Sequence, residues 1–169
     1  YPIESFIDEI KILINKDKIV YFDNSSTNII NKSIISSLNS SFEPLKPYLS
    51  EMRLLKDQDE INKMQLSAQY SAETHMMAMK TVKPGMYEYQ VAAIFASEFT
   101  RRNSRHAYPP IVAGGNNACV LHYIENNKKL NDGDLLLVDA GCETSGYASD
   151  VTRTFPINGS FNDAQREIY

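Results

Sequence analysis

The chain has 169 residues, of which 43% are hydrophobic and 22% are charged, a balance typical of a globular protein. Its formal net charge of −4 comes from 17 basic and 21 acidic residues with no basic stripe, which argues against nucleic acid as the main partner. No apolar run approaches the length that crosses a membrane, so a membrane partner is not expected either.

A helix, a strand and a second helix are predicted in the first 45 residues. Apolar residues recur at helical spacing in residues 5–14 and 28–40, and KIVYFD (18–23) is typical of a short buried strand. Because about 45 residues bury too little core to be stable alone, we expect residues 1–45 to be the last part of a larger domain.

Residues 46–56 are interpreted as a linker, because Pro44 and Pro47 lie close together at its start. A long helix is predicted beyond it, from a D-x-x-E capping signal at Asp57 to the stop at Lys83. Its apolar stripe is interpreted as core and consists of Ile61, Met64, Ala68, Ala72, Met76 and Met79. His75 lies near this stripe and is interpreted as a packed, hydrogen-bonded core histidine.

A second amphipathic helix is predicted from Tyr87 to about Arg102. Its inward residues would be Val91, Ile94, Phe95 and Phe99. Arg101, Arg102 and Arg105 would form its solvated end, where cations are favoured by the helix dipole.

From Tyr108 the periodicity becomes that of strands. Four strand-like runs, at 111–115, 118–125, 134–141 and 147–157, are separated by segments rich in Asn, Asp and Gly. A last helix begins at Asn162, which has Gln165 three residues on. Two helices followed by an antiparallel sheet and another helix predict an α+β fold.

Two cysteines, Cys119 and Cys142, lie in apolar surroundings without CxxC spacing. Buried free thiols are therefore expected in preference to a disulfide or a zinc site, which fits a reducing compartment.

Two aspartates, Asp139 and Asp150, interrupt apolar strand-like runs. A hairpin turning at Thr144 and Ser145 would place them directly opposite each other, with Cβ atoms ~5 Å apart and like charges that destabilise the sheet. A shared proton, a nearby arginine such as Arg153, or a divalent metal could offset the repulsion. Solvated acids at strand ends remain an equal alternative from spacing alone.

Two histidines lie near this region of the sequence. His122 is predicted within the strand at 118–125, and alone it would be a structural histidine. In one sheet with a carboxylate pair it becomes a candidate to move a proton or to hold a substrate carbonyl. His106 is predicted in a loop before the sheet, as a structural or solvent-facing residue.

Several segments in order resemble the Xaa-Pro aminopeptidases (aminopeptidase P) of the pita-bread metallopeptidases. They are MRLLKDQDEI (52–61), KPGMYEY (83–89), AYPPIVAGGNNACVLHYIEN (107–126) and LLLVDAGCETSGYASDVTRTFPINGSFNDAQREIY (135–169). The resemblance spans about residues 51–169. It implies the N-terminal half of a pita-bread (creatinase/aminopeptidase) catalytic domain over residues 57–169, preceded in residues 1–45 by the tail of an α/β N-terminal domain.

The resemblance also implies two divalent metal ions, usually manganese, held by two aspartates, one histidine and two glutamates. By motif position Asp139 would bind one ion and Asp150 would bridge both, so that a hydroxide held by the metals attacks the bond before proline. His122 matches the substrate-side histidine of the family, which is not a metal ligand. The remaining histidine and both glutamates of the family would follow residue 169, so this chain alone is expected to be inactive.

The implied substrates are peptides with proline in second position. A homo-oligomer in the cytoplasm or a mitochondrion is also implied. Two alternatives stay open: a prolidase, which cleaves only Xaa-Pro dipeptides, and a non-catalytic pita-bread relative that binds peptides or proteins. Retention of both aspartates favours the enzyme.

Overall fold

The computed structural model describes residues 5–14, 19–22 and 41–169, and the chain divides into two compact units, Tyr1–Lys56 and Asp57–Tyr169. Helices and strands are mixed in both units, so the predicted fold class is confirmed. In the first unit the elements are α1 (Phe6–Leu13), β1 (Ile19–Phe22), β2 (Ser41–Pro44) and α2 (Lys46–Leu54). Strands β1 and β2 pair in parallel.

The first predicted helix and strand are confirmed as α1 and β1, but β1 is not buried as predicted, because Ile19 and Tyr21 are exposed. The helix predicted at 28–40 lies outside the described residues. The segment interpreted as a linker is helical over most of its length, as α2. Its two prolines occupy positions that need no backbone N–H, because Pro44 ends β2 and Pro47 lies in the first turn of α2.

The second unit begins with the long helix α3 (Gln58–Thr81), which confirms the predicted helix. Its capping box is formed as expected: the Glu60 N–H donates to Asp57 Oδ1 over 2.9 Å, and the Asp57 N–H donates to Glu60 Oε2 over 2.8 Å. These two bonds satisfy N–H groups that the first turn would otherwise leave unpaired.

The buried face of α3 differs from the predicted one. Ile61, Met64, Met76 and Met79 are between 37% and 53% exposed, so their interpretation as core is wrong. The residues that α3 buries are Ser67, Ser71, Thr74, His75 and Ala78. Ser67 and Ser71 can lie there because they bond the backbone of Cys142 on the neighbouring strand, and Thr74 donates to the Tyr70 carbonyl of its own helix. A hydrophobicity pattern does not record such bonds.

His75 is confirmed as a buried core histidine of α3. Its Nε2 lies 3.0 Å from the carbonyl oxygen of Ala140 and therefore donates to it, and its ring contacts the Phe95 ring edge-on.

The second helix of this unit is α4 (Glu88–Arg101), as predicted. Val91, Phe95 and Phe99 are fully buried. Arg102 is not part of a solvated end: its side chain is largely buried, pairs with Glu73 on α3 over 2.9 Å and covers the Tyr70 ring. The prediction is therefore wrong for Arg102, which links the two helices, whereas Arg101 and Arg105 are exposed as expected.

Six short strands and a final helix follow: β3 (Arg105–His106), β4 (Ile111–Gly114), β5 (Leu135–Asp139), β6 (Cys142–Thr144), β7 (Tyr147–Ala148), β8 (Thr152–Pro156) and α5 (Asp163–Ile168). They form two antiparallel three-stranded sheets, in the orders β3-β6-β7 and β4-β5-β8. The antiparallel pairing and the helix capped by Asn162 and Gln165 are confirmed. His106 lies in β3, half-buried against the Phe99 ring, and not in a loop.

The strand predicted at 118–125 is wrong. Gly115–Cys119 forms a 3-10 helix, and His122 lies in a turn with a left-handed φ of 55°. Gly115, at φ 54°, and the two asparagines after it favour a turn over a strand. Cys119 is consequently exposed, contrary to the prediction, whereas Cys142 is a buried free thiol as predicted.

The core of the second unit lies between α3, α4 and one face of the β4-β5-β8 sheet. From the sheet it includes Val112, Leu136 and Val138, which pack with aromatic residues of α4. Because side chains alternate along a strand, Leu137 and Asp139 of β5 point to the opposite face. Among the described residues, no helix is long and apolar enough to cross a membrane.

Burial lowers the pKa of both His75 and His106 below the usual histidine value. Both histidines therefore stabilise the folded state fully above about pH 6.5, and this contribution is lost as the pH falls toward their lowered pKa values. We expect the free energy of unfolding, measured with urea, to decrease between about pH 7.5 and pH 5.5. Replacing both residues by glutamine should flatten this dependence; an unchanged slope would contradict the explanation.

Candidate metal centre

Asp139 is the last residue of β5 and is half-buried on the sheet face away from the helices. It pairs with Ile111 of β4 on one side and with Thr152 of β8 on the other. Asp150 is exposed in the short link between β7 and β8. The two carboxylates thus belong to neighbouring segments at one end of the sheet.

The predicted register, with Asp139 directly opposite Asp150, is wrong by two residues. The hairpin turns at Ser145 and Gly146, whose φ values of 53° and 84° are those a two-residue hairpin turn requires. Moving the turn by one residue moves the partner of Asp139 from Asp150 to Thr152. Because the shift is two residues, side-chain alternation still leaves Asp150 on the face of Asp139.

The hydroxyl of Tyr108 brings the two aspartates together. It donates to Asp139 Oδ1 over 2.5 Å, and its oxygen also lies 3.0 Å from Asp150 Oδ1. Burial and these two carboxylates raise the pKa of Tyr108 far above its ordinary value. The phenol therefore keeps its proton, which only one carboxylate can accept at a time.

Gly141 makes room for this arrangement. A Cβ atom at this position would lie 1.8 Å from the carbonyl oxygen of Ser149 and 2.9 Å from Cε1 of Tyr108. The Gly141 carbonyl accepts a hydrogen bond from the N–H of Ala107, which fixes the chain just before Tyr108. The tyrosine ring therefore uses space that any side chain at residue 141 would fill.

Helix α3 holds the strands behind the aspartates. The Ser67 hydroxyl donates to the Cys142 carbonyl over 2.6 Å, and the Cys142 N–H donates to the Ser71 hydroxyl over 2.8 Å. Ser149, next to Asp150, has its hydroxyl 2.8 Å from that of Ser71 and 3.0 Å from that of Ser67. These bonds fix the backbone on both sides of the carboxylate pair.

The two carboxylates are not neutralised by a cation of the described chain. No lysine, arginine or histidine among those residues forms an ion pair with Asp139 or Asp150. Arg153 was the arginine expected from the sequence to offset the repulsion. It is exposed, lies opposite Val138 in the β5-β8 pair, and donates a hydrogen bond to the Thr152 carbonyl.

The donor set fits a hard divalent cation, because carboxylate oxygens are its preferred ligands and a cation would offset the uncompensated charge. In the part of the chain that the structure describes, no group of three or more His, Cys, Asp or Glu is placed to hold a metal. A metal ion held by Asp139 and Asp150 would therefore need further ligands from outside the described residues.

His122 and Tyr108 differ most from what the sequence predicts. His122 is exposed in its turn and does not share a strand with the aspartates. Tyr108 was missed because the only local signal is its position before two prolines, which favours extended backbone and gives no indication of a role for the hydroxyl.

Metallopeptidase family M24 matches residues 62–169, which is more than half of the chain. The chain therefore belongs to this family of metallopeptidases, whose members are expected to bind divalent metal ions.

Curated relatives agree with this assignment. The chain is 54% identical over 125 residues to the Xaa-Pro aminopeptidase of Haemophilus influenzae, a match covering 73% of the chain and 29% of that protein. It is 41% identical over 122 residues to human Xaa-Pro aminopeptidase 3, covering 72% of the chain and 24% of that protein. The matched part is thus less than a third of the length of either relative.

Solved structures give the same result for the fold. The proline aminopeptidase P II from Yersinia pestis has a TM-score of 0.89 and 38% identity, covering 99% of the chain and 42% of that structure. Escherichia coli aminopeptidase P with the inhibitor Pro-Leu has a TM-score of 0.88 and 36% identity, covering 98% and 41%. The resemblance found in the sequence is confirmed.

The contact at Gly141 predicts a specific loss of stability. We expect Gly141→Ala to lower the free energy of unfolding by at least about 3 kcal/mol, because its methyl group meets backbone that cannot move aside. Gly159→Ala is the matched control: it has open space around it and should cost only about 1 kcal/mol for its left-handed φ. Equal losses in urea denaturation would contradict the steric role of Gly141.

Proposed function

We propose that the full-length protein containing this chain is a metal-dependent aminopeptidase that removes the N-terminal residue from peptides with proline in second position. The observation that carries the proposal is the convergence of Asp139 and Asp150 on the Tyr108 hydroxyl, in a chain of family M24. Its similarity to Xaa-Pro aminopeptidases supports the substrate class.

Asp139 and Asp150 are proposed as metal ligands, with Asp139 binding one divalent ion and Asp150 bridging two. Manganese is the proposed metal because the resemblance implies it, and hard oxygen donors suit it better than they suit a soft-ligand metal. When bound, the metal pair supplies a water-derived nucleophile at neutral pH and polarises the scissile carbonyl. One histidine and two glutamates from outside this chain would complete the ligand set.

Tyr108 is proposed as the residue that positions the ligands. Its proton is donated to Asp139 Oδ1, which leaves the other oxygen of that carboxylate available. Bonds of this kind orient ligating carboxylates. Because the phenol stays protonated, it adds no negative charge to the pair.

His122 is proposed to act on the substrate side, where it would hold the carbonyl of the scissile bond or move a proton. Its exposure supports this role, because an imidazole in an open turn is accessible to a peptide.

The chain of 169 residues is proposed to be inactive by itself, because it supplies two of the five ligands implied by the family. Metal-dependent cleavage of an Xaa-Pro peptide by this chain alone would refute that. A homo-oligomer and a cytoplasmic or mitochondrial location remain proposals that rest on the resemblance.

The bridging role of Asp150 predicts that Asp150→Asn abolishes activity of the full-length protein, since an amide cannot supply the bridging charge. We expect kcat to fall at least about 1,000-fold with the circular dichroism spectrum unchanged. Asp132→Asn, on the exposed turn before β5, is the control and should retain activity. Activity retained in Asp150→Asn would exclude Asp150 as the bridge.

Peptide length separates the proposed aminopeptidase from a prolidase. We expect kcat/KM for an Xaa-Pro-Xaa tripeptide to exceed that for the corresponding Xaa-Pro dipeptide by at least about tenfold, or roughly 1.4 kcal/mol. Preference for the dipeptide would make the protein a prolidase. Binding of either peptide without hydrolysis in the metal-loaded protein would instead support a non-catalytic relative.

A further inference from the structure

Glu88, the first residue of α4, is a fully buried carboxylate with four hydrogen-bond donors. Oε1 accepts from the Gly114 N–H over 2.9 Å and from Asn117 Nδ2 over 2.8 Å. Oε2 accepts from the Tyr123 hydroxyl over 2.7 Å and from the Lys128 N–H over 2.9 Å. A fully buried carboxylate is rare in proteins, and this one has hydrogen-bond donors on both of its oxygens.

All four donors belong to one segment, Gly114 to Lys128, which we call the His122 loop. Gly114 directly precedes the 3-10 helix and Asn117 lies within it. Tyr123 is adjacent to His122, and Lys128 is the last residue of the loop. The backbone N–H of Glu88 also donates to the Lys128 carbonyl over 2.9 Å. A single carboxylate therefore ties together the beginning, middle and end of the loop.

The loop contains few elements that could hold its shape without Glu88. After Gly114, which ends β4, the described loop has no strand residue. Val120, Leu121 and Ile124 are exposed, so apolar packing near His122 comes from Tyr123, which is buried. Asn126 adds two bonds near the end of the loop, to the Val112 N–H and the Pro110 carbonyl, and these lie away from His122 in the sequence. Its backbone includes two left-handed non-glycine residues, His122 and Asn126. Such conformations persist only where the surroundings impose them.

A carboxylate is chemically required at this position. Both oxygens accept two bonds each, which a glutamine of the same shape cannot reproduce, because its NH₂ group would face two donors. The N-terminus of α4 also favours the negative charge. Among the described residues, no lysine or arginine forms an ion pair with Glu88, so its charge is balanced by these dipoles alone.

We propose that Glu88 is a positioning residue that sets the orientation of His122 toward the substrate by holding the His122 loop through these four hydrogen bonds. The proposal rests on the proposed role of His122. It acts through the loop backbone and Tyr123 and involves no contact between Glu88 and the reacting atoms.

If Glu88 only stabilised the fold, replacing it would have the same effect on kcat/KM with and without His122. The test is therefore a double-mutant cycle of Glu88 and His122 in the full-length protein. We expect Glu88→Gln to lower kcat/KM about 10- to 100-fold, as expected for a misplaced catalytic group. In the His122→Ala background the same substitution should change kcat/KM less than about twofold.

Glu98→Gln is the matched control. Glu98 is also a buried glutamate of α4, but it pairs with Arg101 and Arg102 and makes no bond to the His122 loop. It should change kcat/KM less than about twofold in both backgrounds. Tyr123→Phe is the milder second variant, because it removes one donor and keeps the buried ring; its effect should also vanish in His122→Ala.

Hydrogen exchange of the backbone amides at 114–128 gives a readout that does not depend on catalysis. Glu88→Gln should accelerate exchange in this loop by at least about tenfold and leave the rest of α4 unchanged. Unchanged exchange, or equal effects of Glu88→Gln with and without His122, would overturn the proposal. If the wild-type protein cleaves no Xaa-Pro peptide while exchange responds as expected, the proposed function fails and the anchoring of the loop stands.

Discussion

The structure of the site depends on two like-charged carboxylates that share one hydroxyl group. The oxygens of Asp139 and Asp150 that contact Tyr108 are at most about 5.5 Å apart, a separation at which two unit charges repel by roughly 3 kcal/mol at an effective dielectric constant of 20. A neutral phenol with one proton cannot offset this. The divalent cation that we propose at this site would offset it.

Two features of the second unit hold Asp139 and Asp150 in place. Gly141 provides the space for the Tyr108 ring, and the hydroxyls of Ser67 and Ser71 attach α3 to the strand that follows. These serines explain why α3 buries a polar face and leaves its methionines exposed. The polar face of α3 therefore supports the strands that carry the proposed metal ligands, and the apolar core on α4 supplies the stability.

Much of this could be predicted from local sequence. The capping boxes at Asp57 and Asn162 depend on residues three apart, and the alternation of side chains kept the aspartates on one face although the register was wrong by two residues. The buried face of α3 and the role of Tyr108 depend on contacts between residues about 30 to 80 positions apart. No periodicity within a single segment records such contacts.

The central claim is that Asp139 and Asp150 bind the same metal centre. The most direct measurement is a crystal structure of the full-length protein with manganese, using anomalous scattering to locate the ions. The account predicts anomalous density about 2 Å from carboxylate oxygens of both residues. Well-occupied manganese bound elsewhere, with Asp139 and Asp150 still joined only through Tyr108, would contradict it.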